Sequence, residues 1–298
     1  MLSQVHLSCF ALSYLVAFGC DALRIVRQNV TALRWVVLAF TVGGLVAHSA
    51  WLLVRSQADG LPPIVRSGQD WLLVLAWLGA VLSLVLQLTH PRLPNGVFLL
   101  TPVLGLIGAS LFASEGPSSA MASEVMRRWG MLHASTLLIG IGCVFAATVS
   151  ALMYLLHFRR IRSHTPSMAW LKLPSLEQLS AINRWMITAA VPLLTVGMIS
   201  GFVLIRQSPG SQEMRPVTWT DPTIVATLLV WTVMVLVLGR MLLARRQSGR
   251  ALAQLTFLSG CFLVITVLSP MLLAEGGAID TFHGGSNQRP AAGGGETE

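Results

Sequence analysis

The sequence predicts an all-α, polytopic integral membrane protein: a bundle of about eight transmembrane helices with the N- and C-termini both outside. Three observations carry this. Apolar residues make up 54% of the 298 and charged residues only 11%, where a soluble domain carries roughly 25% charge. The apolar residues fall in long unbroken runs, and a spanning helix needs about 20 such residues. The basic residues collect in alternate connections between the runs, as a fixed orientation in a membrane requires. Continuous runs, in place of alternating ten-residue segments, favour helices over a barrel.

The first run is 3–20. No Lys or Arg precedes it, and Arg24 and Arg27 follow it, the reverse of a signal peptide's flank order. The same order argues against lipoprotein cleavage at the "AFGC" that ends on Cys20, so a retained span is expected. Residues 31–54 form the second span and carry His48. Residues 71–89 and 96–113 are the third and fourth, and 130–157 is the fifth, with His133 just inside its start. Before the sixth, Ser175 as N-cap with Glu177 in the first turn predicts a short amphipathic helix, Leu176, Leu179 and Ile182 facing the membrane. The sixth span, 185–205, has Gly197 and Gly201 at the i,i+4 spacing that lets another helix approach closely. The seventh, 223–244, is preceded by Trp219, Asp221 and Pro222, and the eighth is 251–274. The chain therefore divides into a membrane domain, 1–274, and a Gly-rich tail, 275–298, expected to be external and mostly disordered.

Eight spans put the connections 21–34, 90–94, 158–184 and 240–250 on one side. They hold 13 of the 20 Lys and Arg but only Asp21 and Glu177, whereas the other side holds seven basic and ten acidic residues. The basic side is cytoplasmic by the positive-inside rule. The net charge of +8 is then a topology signal, and nucleic acid is not needed to explain it. No carboxylate falls in a predicted span, which argues against a proton-driven carrier. No phosphate loop, His-Glu-x-x-His or Ser/His/Asp arrangement is present to support a hydrolase. Cys9, Cys20, Cys143 and Cys261 are scattered through apolar runs with no Cys-x-x-Cys. Core packing is expected of each, and the chain has neither a thiol pair for redox exchange nor a c-type haem attachment site.

The histidines remain. His6, His90, His157 and His164 read as polar boundary residues. His133 and His283 lie near the outer surface, and His48 lies inside the second span. An imidazole in lipid needs a partner for its ring nitrogens. A hydrogen bond to a neighbouring helix is one option, and an axial bond to haem iron is another. Trp219 and Asp221 share the outer side with His133 and His283. An indole there could stack on a flat aromatic ligand while imidazoles reach iron from either side. Equally, Trp219 could be an interfacial anchor, with Asp221 and Pro222 as Ncap and N1 of helix seven. Residue chemistry alone favours the anchoring and capping reading.

At these residues the chain resembles the cytochrome c assembly protein family, the CcsA/CcmC/HemX-like membrane proteins. The resemblance is carried in order by "LHASTLLIGIGCVFAATVSALMYLL", "LPSLEQLSAINRWMITAAVPLLTVGMISGFVL", "WTDPTIVATLLVWTVMVLVLGRM" and "GRALAQLTFLSGCFLVITVLSP", and by "LVAHSAWLL" around His48. It implies a haem-handling role in c-type cytochrome biogenesis in a bacterial-type cytoplasmic (inner) membrane. In the family an external tryptophan-rich loop holds non-covalent haem, outward histidines flanking it ligate the iron, and haem is presented to the Cys-x-x-Cys-His of apocytochrome c. Trp219, Asp221 and Pro222 match the end of that loop. His133 matches the histidine before it, His283 the one after it, and His48 the second-span histidine of eight-span members. The implied partners are haem, apocytochrome c or other assembly proteins, and membrane lipid. The isolated chain need not be a catalyst: it offers iron ligands but no thiol pair, so haem attachment would need a separate thiol reductant. The loop 206–222 departs from the pattern, with Trp219 its single tryptophan. A HemX-like modulator of haem biosynthesis is therefore the near alternative. A b-type electron carrier or a solute transporter is the alternative of a different class.

Overall fold

A computed structural model describes residues 6–26, 31–59, 67–89, 96–113, 124–163, 174–207, 222–243 and 249–275. They form eight α-helices: α1 (Leu7–Val26), α2 (Thr31–Asp59), α3 (Gly68–Thr89), α4 (Gly96–Ser110), α5 (Glu124–Ser163), α6 (Leu176–Gln207), α7 (Pro222–Leu243) and α8 (Gly249–Glu275). Over its described residues each predicted apolar run falls in its own helix, except at end residues such as 111–113, which turn away after α4. Segments of α1, α2, α3, α5 and α6 are long and apolar enough to cross a membrane, and the apolar stretches described in α4, α7 and α8 are shorter. The protein is a multi-pass membrane bundle. A lipid core offers no water to backbone groups, so helices that satisfy their own N–H and C=O groups are the stable form.

The helices close into two four-membered rings. In the first, α1 packs on α2, α2 on α3, α3 on α4, and α4 back on α1; in the second, α5, α6, α7 and α8 close in the same cyclic order. Helix α5 joins the rings by packing on α3 and α4. Phe10, Tyr14, Leu73, Leu100 and Val103 fill the first ring. Leu138, Val144, Ile187, Leu194 and Met234 fill the second.

Several helices outrun the apolar windows that identify them. Helix α5 has 40 residues, about 60 Å at 1.5 Å per residue, against a hydrocarbon core of about 30 Å. Its surplus length ends in Arg159, Arg160 and Arg162. The short amphipathic helix expected before span six is not separate: it is the first part of the continuous α6. Its start is as the sequence indicates, and more complete. Gln178 N–H donates to Ser175 Oγ at 3.2 Å while Ser175 N–H donates to Gln178 Oε1 at 3.3 Å, a reciprocal capping box. Leu179 does not face the membrane. It is buried with Leu99, Val149 and Met153, because α6 packs lengthwise on α5 from its first turns.

The expectation of no carboxylate in a span is also corrected. Asp21 and Asp70 both lie within spanning helices and are fully buried. Each is held by a cation: Arg24 Nη1 is 2.7 Å from Asp21 Oδ1, and Arg55 Nε is 3.0 Å from Asp70 Oδ1. Asp21 also accepts a bond from Val97 N–H at 3.2 Å, capping α4 from another helix. Gly96 makes this approach possible, since a Cβ there would stand 2.8 Å from Asp21 Oδ2. Polar ties join α2 to α3 along their length: Gln87 Nε2 donates to Thr41 Oγ1, Trp77 Nε1–H to Ser49 Oγ, and Arg55 Nη2 to Gln69 Oε1. All four cysteines are free thiols. Cys143 packs against the core of the second ring as expected, Cys20 and Cys261 are partly covered, and Cys9 is exposed on the bundle surface, against the expectation. The tail beyond Glu275 lies outside the described residues.

Candidate functional site

His133 stands in α5 and projects onto α6. Its Nδ1 is 2.7 Å from the carbonyl oxygen of Gly197. A carbonyl only accepts, so Nδ1 carries the proton that bridges them. In the neutral ring Nε2 is then the unprotonated nitrogen, with its lone pair free. No hydrogen bond to Nε2 occurs among the described residues, and the side chain is half-buried. A neutral imidazole with one N–H tied to a backbone carbonyl is how proteins hold a metal-ligating histidine. The residues present therefore fit an axial ligand of haem iron.

His48 is placed differently. It is fully buried within the first ring. Phe10 of α1 stacks on it with centroids 4.1 Å apart and planes 3° from parallel. Tyr14 Oη lies 3.4 Å from its Nδ1, so the neighbouring-helix partner expected of this imidazole exists, at long range. Gly44, one turn earlier on α2, admits the tyrosine ring: a Cβ there would be 2.8 Å from Tyr14 Cε1. The Nε2 of His48 is buried with no hydrogen-bond partner among the described residues. With Nδ1 protonated and donating to Tyr14, that orphaned nitrogen would hold the lone pair an iron ligand needs. His48 packs on α1 in one ring and His133 on α6 in the other, so the two imidazoles are not brought together.

Trp219, Asp221 and His283 lie outside the described residues. Pro222 opens α7, the N1 position that a capping role for Asp221 requires. His157 behaves as the expected boundary residue, its Nδ1 3.0 Å from the carbonyl oxygen of Pro174. Among the described residues no group of three or more His, Cys, Asp or Glu could hold a metal ion. Axial haem ligation asks less, a single imidazole on a face of the porphyrin.

One cluster was missed by sequence reasoning. Two turns along α2 from His48, Arg55 lies over the Trp51 ring at 4.9 Å and reaches Asp70 and Gln69 of α3. Its signal was legible in "SGQD". Ser67-x-x-Asp70 is a capping pattern, and Ser67 Oγ accepts from Asp70 N–H at 3.1 Å.

Residues 68–276, helices α3 to α8, match the family described as Cytochrome C assembly protein. Helices α1 and α2, with His48, precede the matched region. Comparison with curated proteins gives no match.

Proposed function

Because the chain belongs to the cytochrome c assembly protein family, we propose that it is a membrane haem-handling protein of c-type cytochrome biogenesis that presents haem on the outer face for attachment to apocytochrome c. Family membership supports the place in cytochrome biogenesis. The observation that carries the haem assignment is His133, whose Nδ1 is fixed by Gly197 while Nε2 is left free. In this reading His133 and His283 are the outer axial pair, Trp219 stacks on the porphyrin, and Asp221 with Pro222 sets the head of α7 beside it. His48 is a separate, deeper ligand position. Bound haem would supply the iron and the vinyl groups to which apocytochrome thiols add. The protein's own residues bind and orient it. Both termini and the Trp219 loop face outward from a bacterial-type inner membrane. Other assembly proteins, including a thiol reductant, complete the reaction. A HemX-like modulator of haem biosynthesis is the second reading, favoured by Trp219 being the single tryptophan of 206–222.

The test is ligand replacement in the purified protein. His133→Ala and His283→Ala should each lower bound haem or turn its spectrum five-coordinate, and added imidazole should partly restore it. Haem that survives both changes and disappears with His48→Ala would move the site into the first ring. Haem retained in all three variants would remove every one of these histidines from ligation.

A further inference from the structure

The Gly197-x-x-x-Gly201 spacing reads from sequence as a seam for helix approach. Its geometry is more particular. A Cβ on Gly201 would stand 2.6 Å from Cε1 and 2.9 Å from Nδ1 of His133, closer than real side chains approach. The atoms that occupy the space over Gly201 are thus those of the imidazole ring. One turn earlier, the carbonyl of Gly197 receives the Nδ1 proton at 2.7 Å. Gly197 itself faces other atoms: a Cβ there would meet Leu137 Cδ2 at 2.5 Å and Thr136 Oγ1 at 3.3 Å. The two glycines therefore do separate things. Gly197 makes room for the Leu137 side chain of α5, and its carbonyl sets the tautomer. Gly201 vacates the volume into which the ring lies down.

We infer that this pair is a seat for His133, with Gly201 and the Gly197 carbonyl as positioning groups that hold the imidazole in one orientation, its Nδ1 engaged and its Nε2 unbonded. The inference rests on the reading of His133 as an iron ligand. A histidine free to rotate on an exposed helix end would meet iron in many orientations. One pinned against a neighbouring helix presents a single nitrogen in a fixed direction, which is the purpose of an outer-shell hydrogen bond to a ligating imidazole. The seat uses two further constraints. Ser200 Oγ–H also donates to the Gly197 carbonyl, at 2.8 Å, so that oxygen is held in place by its own turn. Thr136, one turn from His133 along α5, returns its hydroxyl to the carbonyls of Leu132 and His133, which keeps it from competing for Gly197.

The experiment is a pair of double-mutant cycles on the full chain in detergent, read by thermal unfolding and by the haem spectrum. Gly201→Ala should lower the apparent Tm in the wild-type background and much less in the His133→Ala background, where the ring it collides with is gone. Gly197→Ala should lower Tm by the same amount in both backgrounds, because it meets Leu137. In haem-loaded protein, Gly201→Ala should weaken the reduced haem bands about as far as His133→Ala, and the double variant should be no worse than His133→Ala alone. An equal Tm loss for Gly201→Ala in both backgrounds would overturn the seat. Full haem bands in Gly201→Ala, with His133→Ala deficient, would overturn its positioning role. Full bands in His133→Ala would instead overturn the ligand reading, and with it any positioning for iron, even where the Tm coupling persists.

Discussion

Removing the two halves of the Arg55–Asp70 pair should have unequal effects. Asp70 is fully buried, while the Arg55 side chain keeps 23% of its surface. Arg55→Met takes the cation from a fully buried carboxylate. Breaking a buried pair in this way costs about 3–5 kcal/mol. Asp70→Asn leaves the guanidinium with Gln69 at 2.9 Å, the Trp51 face and partial solvent, so the loss is nearer that of one charge-assisted hydrogen bond, about 1.5 kcal/mol. The gap of about 1.5–3.5 kcal/mol is roughly ten- to three-hundred-fold in the unfolding equilibrium. The double variant removes both charges, and neutral replacement of a buried pair is often close to neutral. It should therefore be more stable than Arg55→Met alone. Unfolding in mixed micelles by SDS titration, followed by circular dichroism, measures all three. If Asp70→Asn were the more damaging single change, or if the double variant lost the sum of both, the burial argument would fail.

Asp21→Ala should expose the first turn of α4 to faster amide hydrogen exchange at Val97, at a cost of about 1 kcal/mol for the lost cap, while Asp21→Asn should keep most of the protection. If Trp219 stacks on porphyrin, Trp219→Phe should retain partial haem and Trp219→Ala should lose more, by roughly 0.5–1.5 kcal/mol of aromatic contact; equal haem in both variants and wild type leaves only the anchoring role. Reporter fusions at Arg162 and at the C-terminus should report opposite sides of the membrane, cytoplasmic and external. A cytoplasmic C-terminus would take His283 away from the outer face.

The membrane class and the eight helices were legible because lipid solvation acts on long averages of composition, which sequence displays directly. The helix starts at Ser175 and Pro222 were legible too, since a cap depends on residues three or four apart. The misreadings share a cause. Asp21 and Asp70 fall just outside the apolar windows, and Leu179 is given by pattern to a separate amphipathic helix, but a helix continues while its backbone bonds continue. Their surroundings are then set by residues far along the chain: Arg24 and Val97, Arg55, Leu99 and Val149. The candidate site divides in the same way. His48 and His133 stand out as imidazoles in apolar context. That Phe10 covers one and a pair of glycines receives the other depends on how α1 packs on α2 and α5 on α6, which no local spacing states. Gly201 carries the same letter whether it faces a helix or a ring.

The central claim, that this chain binds haem, is tested most directly by the absorption spectrum of the purified full-length protein before and after reduction, following expression with ample haem. The account predicts a Soret band and sharp α and β bands on reduction, the signature of iron held between two imidazoles. A well-folded but colourless protein would contradict it.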